Sequence, residues 1–186
     1  MRFIIISFMK KDRCKWAGDD EIYIKYHDEE WGVPTHNDKE LFEMLILESF
    51  QAGLSWITIL KKRENFRKAF DGFDVEKVAG YDEDKIEELR SDEGIIRHKG
   101  KISSAINNAN VFIEIQKEFG SFDEYIWGFT EGEIIKAEYL TESDLSKQIS
   151  KDLKKRGMKF VGPTIIYSYL ESIGIIDNHQ QYCFKF

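Results

Sequence analysis

Residues Ile86–Ile106 read IEELRSDEGIIRHKGKISSAI, and this stretch decides the fold. Its hydrophobic residues have helical spacing on both sides of a short break. Gly94 and Gly100 flank the break, and Ile95 and Ile96 are placed to anchor it in a core. The stretch therefore predicts two helices joined by a tight hairpin.

Several cations lie where the second helix of this hairpin begins. A helix N-terminus presents free backbone N–H groups and a favourable dipole, which suit a phosphate, and nearby cations add affinity that does not depend on base sequence. Such a hairpin positions a protein on DNA, although helix–turn–helix pairs also occur in proteins that bind none. The hairpin residues that we predict to contact DNA are Gly94, Arg97, His98, Lys99 and Lys101.

The rest of the chain is also punctuated as a helical protein. Asn37 is a typical N-cap, Gly174 is a typical C-terminal stop, and the period-2 alternation of strands is scarce. We therefore predict an all-α fold. The predicted helices lie at about 20–31, 38–52, 55–70, 82–92, 101–118, 121–129, 143–156 and 163–173, with a further turn of helix after Asp74.

The length of 186 residues fits one domain. We expect this domain to span residues 11–186, with a helical core at about 38–160 that contains the hairpin at about 83–118. Residues 1–10 are interpreted as an N-terminal extension, with Met9 as an alternative start. The apolar run Phe3–Phe8 is too short for a membrane span and lacks a cleavage site. We therefore expect a cytoplasmic monomer without a membrane partner.

The net charge of −7 argues against a nucleic-acid partner when taken alone. The distribution of charge matters more than the sum. Lysine and arginine residues gather at 61–68, at 97–101 and at 151–159. Each group is either part of a DNA-binding surface or an ordinary solvated helix face.

Cysteine and histidine residues are paired near the two chain ends. Cys14 and His27 lie near the start, whereas His179 and Cys183 lie near the end. Mixed nitrogen and sulfur ligands suit tetrahedral zinc, and four protein ligands leave no open position for chemistry. Such a site would be structural and would join the two terminal segments. There are three alternatives. The cysteines could be unrelated buried thiols, they could form a disulfide, which a cytoplasmic location disfavours, and His27 could be an ordinary buried histidine.

Aromatic residues follow one face of the first predicted helix. Tyr23, Tyr26 and His27 have helical i, i+3, i+4 spacing, Trp31 follows, and Trp16 lies just upstream. This pattern indicates either an aromatic stripe of the core or the wall of a stacking site.

Glu48 lies on the same helical stripe as Leu41, Met44, Leu45 and Ala52. A carboxylate that faces a core is costly unless a cationic ligand, a basic side chain or hydrogen-bond donors compensate for it. The alternative is that Glu48 reaches solvent at the end of its helix.

The break between the second and third predicted helices contains Gly53, Leu54 and Trp56. An apolar side chain that projects from such a break can fill the gap left by an extruded base. The alternative is that Leu54 is an ordinary core residue.

Taken together, these segments resemble the 3-methyladenine DNA glycosylase I family of the helix-hairpin-helix glycosylase superfamily, over roughly residues 12–183. Several long sequence motifs of the family occur here in the same order and with the same spacing as in the family. They are DRCKW at 12–16, YHDEEWGVP at 26–34, QAGLSWIT at 51–58, LKKREN at 60–65, GIIRH at 94–98 and KFVG at 159–162.

The resemblance implies a role for each group of residues. It implies one structural zinc ion bound by Cys14, His27, His179 and Cys183. It implies a base pocket of Glu48, Tyr26, Trp56 and Trp16, with Tyr23 nearby, and a DNA wedge at Gly53 and Leu54. The implied fold is a helix-hairpin-helix glycosylase fold with a zinc-tied pair of terminal segments.

The activity implied by the resemblance is hydrolytic excision of a flipped 3-methyladenine from alkylated double-stranded DNA, without a lyase step. A DNA-binding module without chemistry and a glycosylase for another lesion are the alternatives. A zinc hydrolase is disfavoured by the closed ligand set.

Overall fold

The computed structural model describes residues 11–137 and 140–186, so the predicted N-terminal extension and the alternative start at Met9 lie outside the described residues. Within these ranges the protein is built from α-helices, two short 3-10 helices (Lys15–Ala17 and Asp71–Phe73) and one minimal sheet. The helices are α1 (Glu21–Glu29), α2 (Asp38–Gln51), α3 (Trp56–Ala69), α4 (Val75–Ala79), α5 (Glu83–Ser91), α6 (Lys99–Phe119), α7 (Phe122–Gly128), α8 (Asp144–Lys155) and α9 (Pro163–Ser172). The strands β1 (Ile135–Lys136) and β2 (Ile176–Asp177) pair in parallel.

The all-α prediction is confirmed, and most of the described helices begin where a polar cap satisfies free backbone N–H groups. Asn37, Asp82, Ser121 and Ser143 each accept hydrogen bonds from the first turn of the helix that follows. The sequence did not predict the two-residue strands, which are too short to show an alternating pattern. No helix within the described ranges is both long and apolar enough to cross a membrane.

Helix α2 is the centre of the core, because every residue from Leu41 to Phe50 is buried. It packs against α3, α6, α7 and α9. The hydroxyl of Tyr169 on α9 donates to the carbonyl of Leu41 at 3.2 Å, and the Phe42 ring meets the Phe112 ring edge-on. A helix buried on all sides has no solvent face, so the carboxyl group of Glu48 is enclosed.

The hairpin between α5 and α6 is present, but α6 begins two residues before the predicted start. The ring nitrogen Nδ1 of His98 caps α6 by accepting from the backbone N–H of Lys101 at 3.2 Å. Gly100 therefore lies in the first helical turn instead of flanking the loop. Ile95 is buried in the core, as an anchor of the loop should be.

The expectation that Lys101 is an exposed DNA contact is corrected by its position. Its side chain is buried, and its ammonium group donates to the carbonyls of Phe50 and Ala52 at 2.8 Å and 2.6 Å. Burial lowers the pKa of this ammonium group. Lys101 thus satisfies the free carbonyls at the end of α2 and ties the hairpin to the break before α3.

This position predicts unequal effects for two neighbouring substitutions. We expect Lys101→Met to lower the free energy of unfolding by about 2–3 kcal/mol, because buried carbonyls lose a charged donor. Lys99→Met, on an exposed side chain, should change it by less than about 0.5 kcal/mol. Urea denaturation measures both, and equal effects would contradict the structural role of Lys101.

Candidate active site

A cavity of about 230 Å³ opens between α1, α2, α9 and the segment before α1. Its walls combine aromatic rings with two acidic and several neutral polar side chains. The described residues that line it are Trp16, Tyr23, Tyr26, Trp31, Glu48, Gln51, Trp56, Leu140, Thr141, Thr164, Tyr167, Ser168, Glu171 and Asn178. All five pocket residues named from the sequence are in this set.

The aromatic wall is assembled by the spacing of α1. Tyr26 packs against Trp56 with ring centroids 5.5 Å apart, and Trp16 packs against Tyr23 at 5.1 Å and Trp31 at 4.8 Å. Beyond the end of α1, the backbone N–H of Trp31 donates to the carbonyl of Tyr26 at 2.9 Å, which keeps Trp31 on the same wall. The arrangement offers ring faces on which a flat base can stack.

Glu48 brings a carboxyl group into this cavity from α2. Its side chain is almost fully buried, and none of the described cavity-lining residues is basic. Burial, with a smaller contribution from Glu171, raises the pKa of Glu48 well above the ordinary carboxyl range. The described residues of the pocket therefore provide no lysine or arginine partner for Glu48.

Glu171 is a cavity residue that the sequence analysis missed. Asn178 donates from Nδ2 to Glu171 Oε1 at 2.7 Å, and burial raises the pKa of Glu171 to about 7. The signal that was available is its spacing on α9: Thr164, Tyr167 and Ser168 precede it on the same helical face. Like Glu48, Glu171 is a carboxylate in a mostly apolar helix, which is a pattern that indicates a buried acidic group.

The break between α2 and α3 lies at the edge of the cavity. Gly53 has a φ of +80°, which favours glycine, and Leu54 is 38% exposed. The amide of Gln51, a cavity residue, donates to the carbonyl of Leu54 at 2.5 Å. The indole N–H of Trp56 is buried without a hydrogen-bond partner among the described residues. Leu54 is thus exposed beside the pocket instead of lying in the core.

The cations named from the sequence fall into exposed and internally paired sets. Arg97 and Lys99 are each 51% exposed at the hairpin, where Lys99 pairs with Glu83 at 2.7 Å. Arg63, from the basic group at 61–68, is instead nearly buried and binds the carboxylates of Glu30 and Glu43. Part of that group therefore has a structural role and is not a solvated cationic face.

The structure brings three of the four predicted metal ligands together. The ligand atoms of Cys14, His27 and Cys183 all lie within 4.8 Å of one another, and Cys183 Sγ is 3.4 Å from His27 Nε2. All three residues are buried, and the cysteines form no disulfide. None of them lines the cavity, which separates this group from the aromatic pocket.

His179 lies beside this group without belonging to it. Its ring centroid is 5.4 Å from that of His27, and its buried Nε2 has no hydrogen-bond partner in the described part of the chain. The Nδ1 atoms of His179 and His27 bind the carboxylates of Asp177 and Asp28 at 2.8 Å and 2.9 Å. Carboxylates that fix the outer ring nitrogen are typical of metal-binding histidines. Two thiols and two so-oriented imidazoles are a donor set that fits zinc.

Comparison with known proteins identifies the family. A model of the methyladenine glycosylase family matches residues 16–186. The chain belongs to this family. It is 46% identical to DNA-3-methyladenine glycosylase 1 of Escherichia coli K12, over 92% of this chain and 95% of that one, and 41% identical to DNA-3-methyladenine glycosylase of Haemophilus influenzae, over 92% and 96%. These relatives establish that the chain is an enzyme of the DNA-3-methyladenine glycosylase class.

Solved structures of the family agree with the fold. A crystal structure of 3-methyladenine DNA glycosylase I superimposes with a TM-score of 0.90 at 44% identity, covering 93% of this chain and 98% of that chain. A structure from Staphylococcus aureus that describes 3-methyladenine recognition superimposes with a TM-score of 0.89 at 38% identity, covering 92% and 94%.

The raised pKa of Glu48 predicts a cost in stability that grows with pH. The unfolded chain ionises this group near its ordinary pKa, whereas the folded protein keeps it protonated to a higher pH, so folding is disfavoured increasingly as pH rises between the two values. We expect Glu48→Gln to stabilise the protein more at pH 8 than at pH 5, by roughly 1–3 kcal/mol.

Chemical denaturation of both proteins at the two pH values measures this difference. Glu124→Gln, at an exposed site on α7 outside the cavity, is the matched control and should follow the wild type. Parallel pH profiles for Glu48→Gln and the wild type would contradict the enclosure of the carboxyl group.

Proposed function

We propose that this enzyme excises 3-methyladenine from alkylated double-stranded DNA by hydrolysis and leaves the strand intact. The observation that carries the proposal is the cavity itself, in which the buried carboxyl group of Glu48 meets aromatic rings and no described basic residue. Such a cavity has the volume for a single purine base and favours a base that carries positive charge.

Methylation at N3 makes adenine in DNA cationic, which explains the fit to this cavity. A cation stacked on an aromatic face gains about 0.5–2 kcal/mol, and Tyr26 and Trp56 supply two such faces. Glu48 hydrogen-bonds the edge of the base and complements its charge. Neutral adenine gains less from both interactions, and this difference is the proposed basis of selectivity.

The positive charge also weakens the bond between the base and the sugar. In the proposed reaction the C1′–N9 bond breaks, its electron pair returns to the base, and neutral 3-methyladenine leaves. Water adds its oxygen to C1′ and releases a proton to solvent. No described residue of the cavity is a lysine, so the pocket offers no amine for the covalent intermediate of a lyase.

Access to the base requires that the nucleotide leave the helix. In our proposal Leu54, exposed at the cavity edge next to the positive-φ residue Gly53, occupies the gap in the duplex. The loop from Gly94 and the exposed Arg97 and Lys99 hold the phosphates at the start of α6, which His98 caps. The buried Lys101 has no part in this surface.

The proposed zinc ion is structural. Cys14, His27 and Cys183 would hold it. His179, whose Nε2 has no partner among the residues that the structure describes, would complete the set. When bound, zinc supplies four bonds that join the two chain ends and no reaction step. The rings of Trp16 and Trp31 touch both this group and the cavity, so the site would fix part of the pocket wall.

The role of Glu48 is tested by its isosteric substitution. We expect Glu48→Gln to lower the single-turnover rate of 3-methyladenine release by about 100-fold, because a charge that complements the cationic base is lost. Affinity for undamaged duplex should not change, since that binding depends on phosphate contacts. Glu124→Gln is the control, and an unchanged excision rate in Glu48→Gln would refute the assigned role.

The zinc proposal predicts one metal ion per chain in the purified protein. We expect Cys183→Ser to lose the metal and to lower the melting temperature by about 10 °C or more, because metal binding is coupled to folding. Gln181→Ala, at an exposed site between two proposed ligands, should retain both. Elemental analysis and thermal denaturation measure the two properties, and a stable metal-free wild type would contradict the proposal.

A further inference from the structure

Glu171 places a second carboxyl group in the base cavity, from a different helix than Glu48. Its position is set by Asn178, which is buried and donates to Glu171 Oε1 at 2.7 Å. The backbone carbonyl of Glu171 also accepts from the N–H of Gly32 at 3.0 Å, which holds this turn of α9 against the segment after α1. The side chain is therefore fixed in the cavity wall and not free to turn towards solvent.

Two carboxyl groups in one desolvated cavity oppose each other's ionisation. No lysine, arginine or histidine is among the described residues that line the cavity, so no protein cation compensates for them. Burial raises the pKa of Glu171 to about 7, and burial together with the nearby Glu171 raises the pKa of Glu48 well above its ordinary value. Acidic groups whose ionised form is disfavoured in this way are typical of functional sites.

Two tyrosines that line the cavity with Glu171 keep their protons around neutral pH. Burial raises the pKa of Tyr26 on α1 well above its ordinary value, and it raises the pKa of Tyr167 on α9 to about 12. Glu48 and Glu171 are thus the two carboxyl groups of the described cavity lining, and a cationic ligand would favour their ionised forms.

We propose that Glu171 is a specificity-determining residue of the base pocket, where it acts with Glu48 as a pair of carboxyl groups that ionises when a cationic base enters. A neutral base offers no charge to offset that ionisation, so it gains no net Coulomb attraction from the pair and is held by stacking and hydrogen bonds. This inference rests on the function proposed above and concerns how the pocket separates cationic from neutral bases.

The charge of the second carboxylate should have a measurable effect on ligand affinity. At the effective dielectric constant of a partly buried site, one more opposite charge near a cation changes its affinity by about tenfold or more. A neutral base of the same shape should respond by less than about twofold, because its net Coulomb interaction with the added charge is absent.

The test compares two small ligands on the metal-bound protein. The 3,9-dimethyladeninium ion carries a methyl group in place of the sugar and keeps the positive charge, whereas 9-methyladenine is neutral. Titration calorimetry at pH 6 and pH 8 gives both affinities for the wild type and for Glu171→Gln. Glutamine keeps the size of the side chain and an oxygen that accepts from Asn178, and Glu124→Gln controls for the loss of one negative charge elsewhere.

We expect Glu171→Gln to lower the affinity for the cation by about tenfold at pH 8 and to leave the affinity for the neutral base within about twofold. In the wild type the affinity for the cation should rise from pH 6 to pH 8, and this rise should be smaller in the variant. Glu124→Gln should match the wild type throughout.

The inference is overturned if the ratio of the two affinities is the same in Glu171→Gln as in the wild type. This includes an equal loss of affinity for both ligands, which would mark a purely structural role. Release of 3-methyladenine from methylated duplex by the wild type is measured alongside. If that release occurs while the ratio is unchanged, only this inference falls, whereas absence of release refutes the proposed function as well.

Discussion

The pocket depends on a buried carboxyl group, that of Glu48 on α2, for which the described residues of the cavity provide no basic partner. Helix α2 packs against neighbours on every side, and this packing fixes Glu48 in a cavity whose described lining contains no basic residue. A protein selected only for stability would replace such a carboxyl group with an apolar side chain or pair it with a cation. Its retention in an aromatic cavity is the physical reason to associate the pocket with a cationic ligand.

The surrounding features keep that carboxyl group in place and bring its target to it. Lys101 satisfies the carbonyls at the end of α2 and so fixes the break from which Leu54 projects. At the opposite side of the aromatic wall, Trp16 and Trp31 pack against His27 and His179 of the proposed zinc site. The end of α2 and the segments that carry the proposed zinc ligands thus both support the wall of one cavity.

Local chemistry made the helices and part of the site predictable from the sequence. Polar caps and glycine stops marked helix ends, and helical spacing placed Tyr26 and Glu48 on faces that the structure joins in one cavity. Partners distant in the chain were not predictable. The burial of Lys101 depends on carbonyls 49 and 51 residues away, and the fixed position of Glu171 depends on Asn178 in a later loop. The pairing of Arg63 with Glu43 likewise needed the packing of α2 on α3.

The most direct test of the account is the identity of the bases that the enzyme releases from a methylated DNA duplex. We expect the enzyme to release 3-methyladenine as a free base, to release no undamaged adenine, and to leave the strand uncleaved before alkali treatment. The account is contradicted if the folded, metal-bound enzyme releases no 3-methyladenine, or if it releases neutral bases equally well.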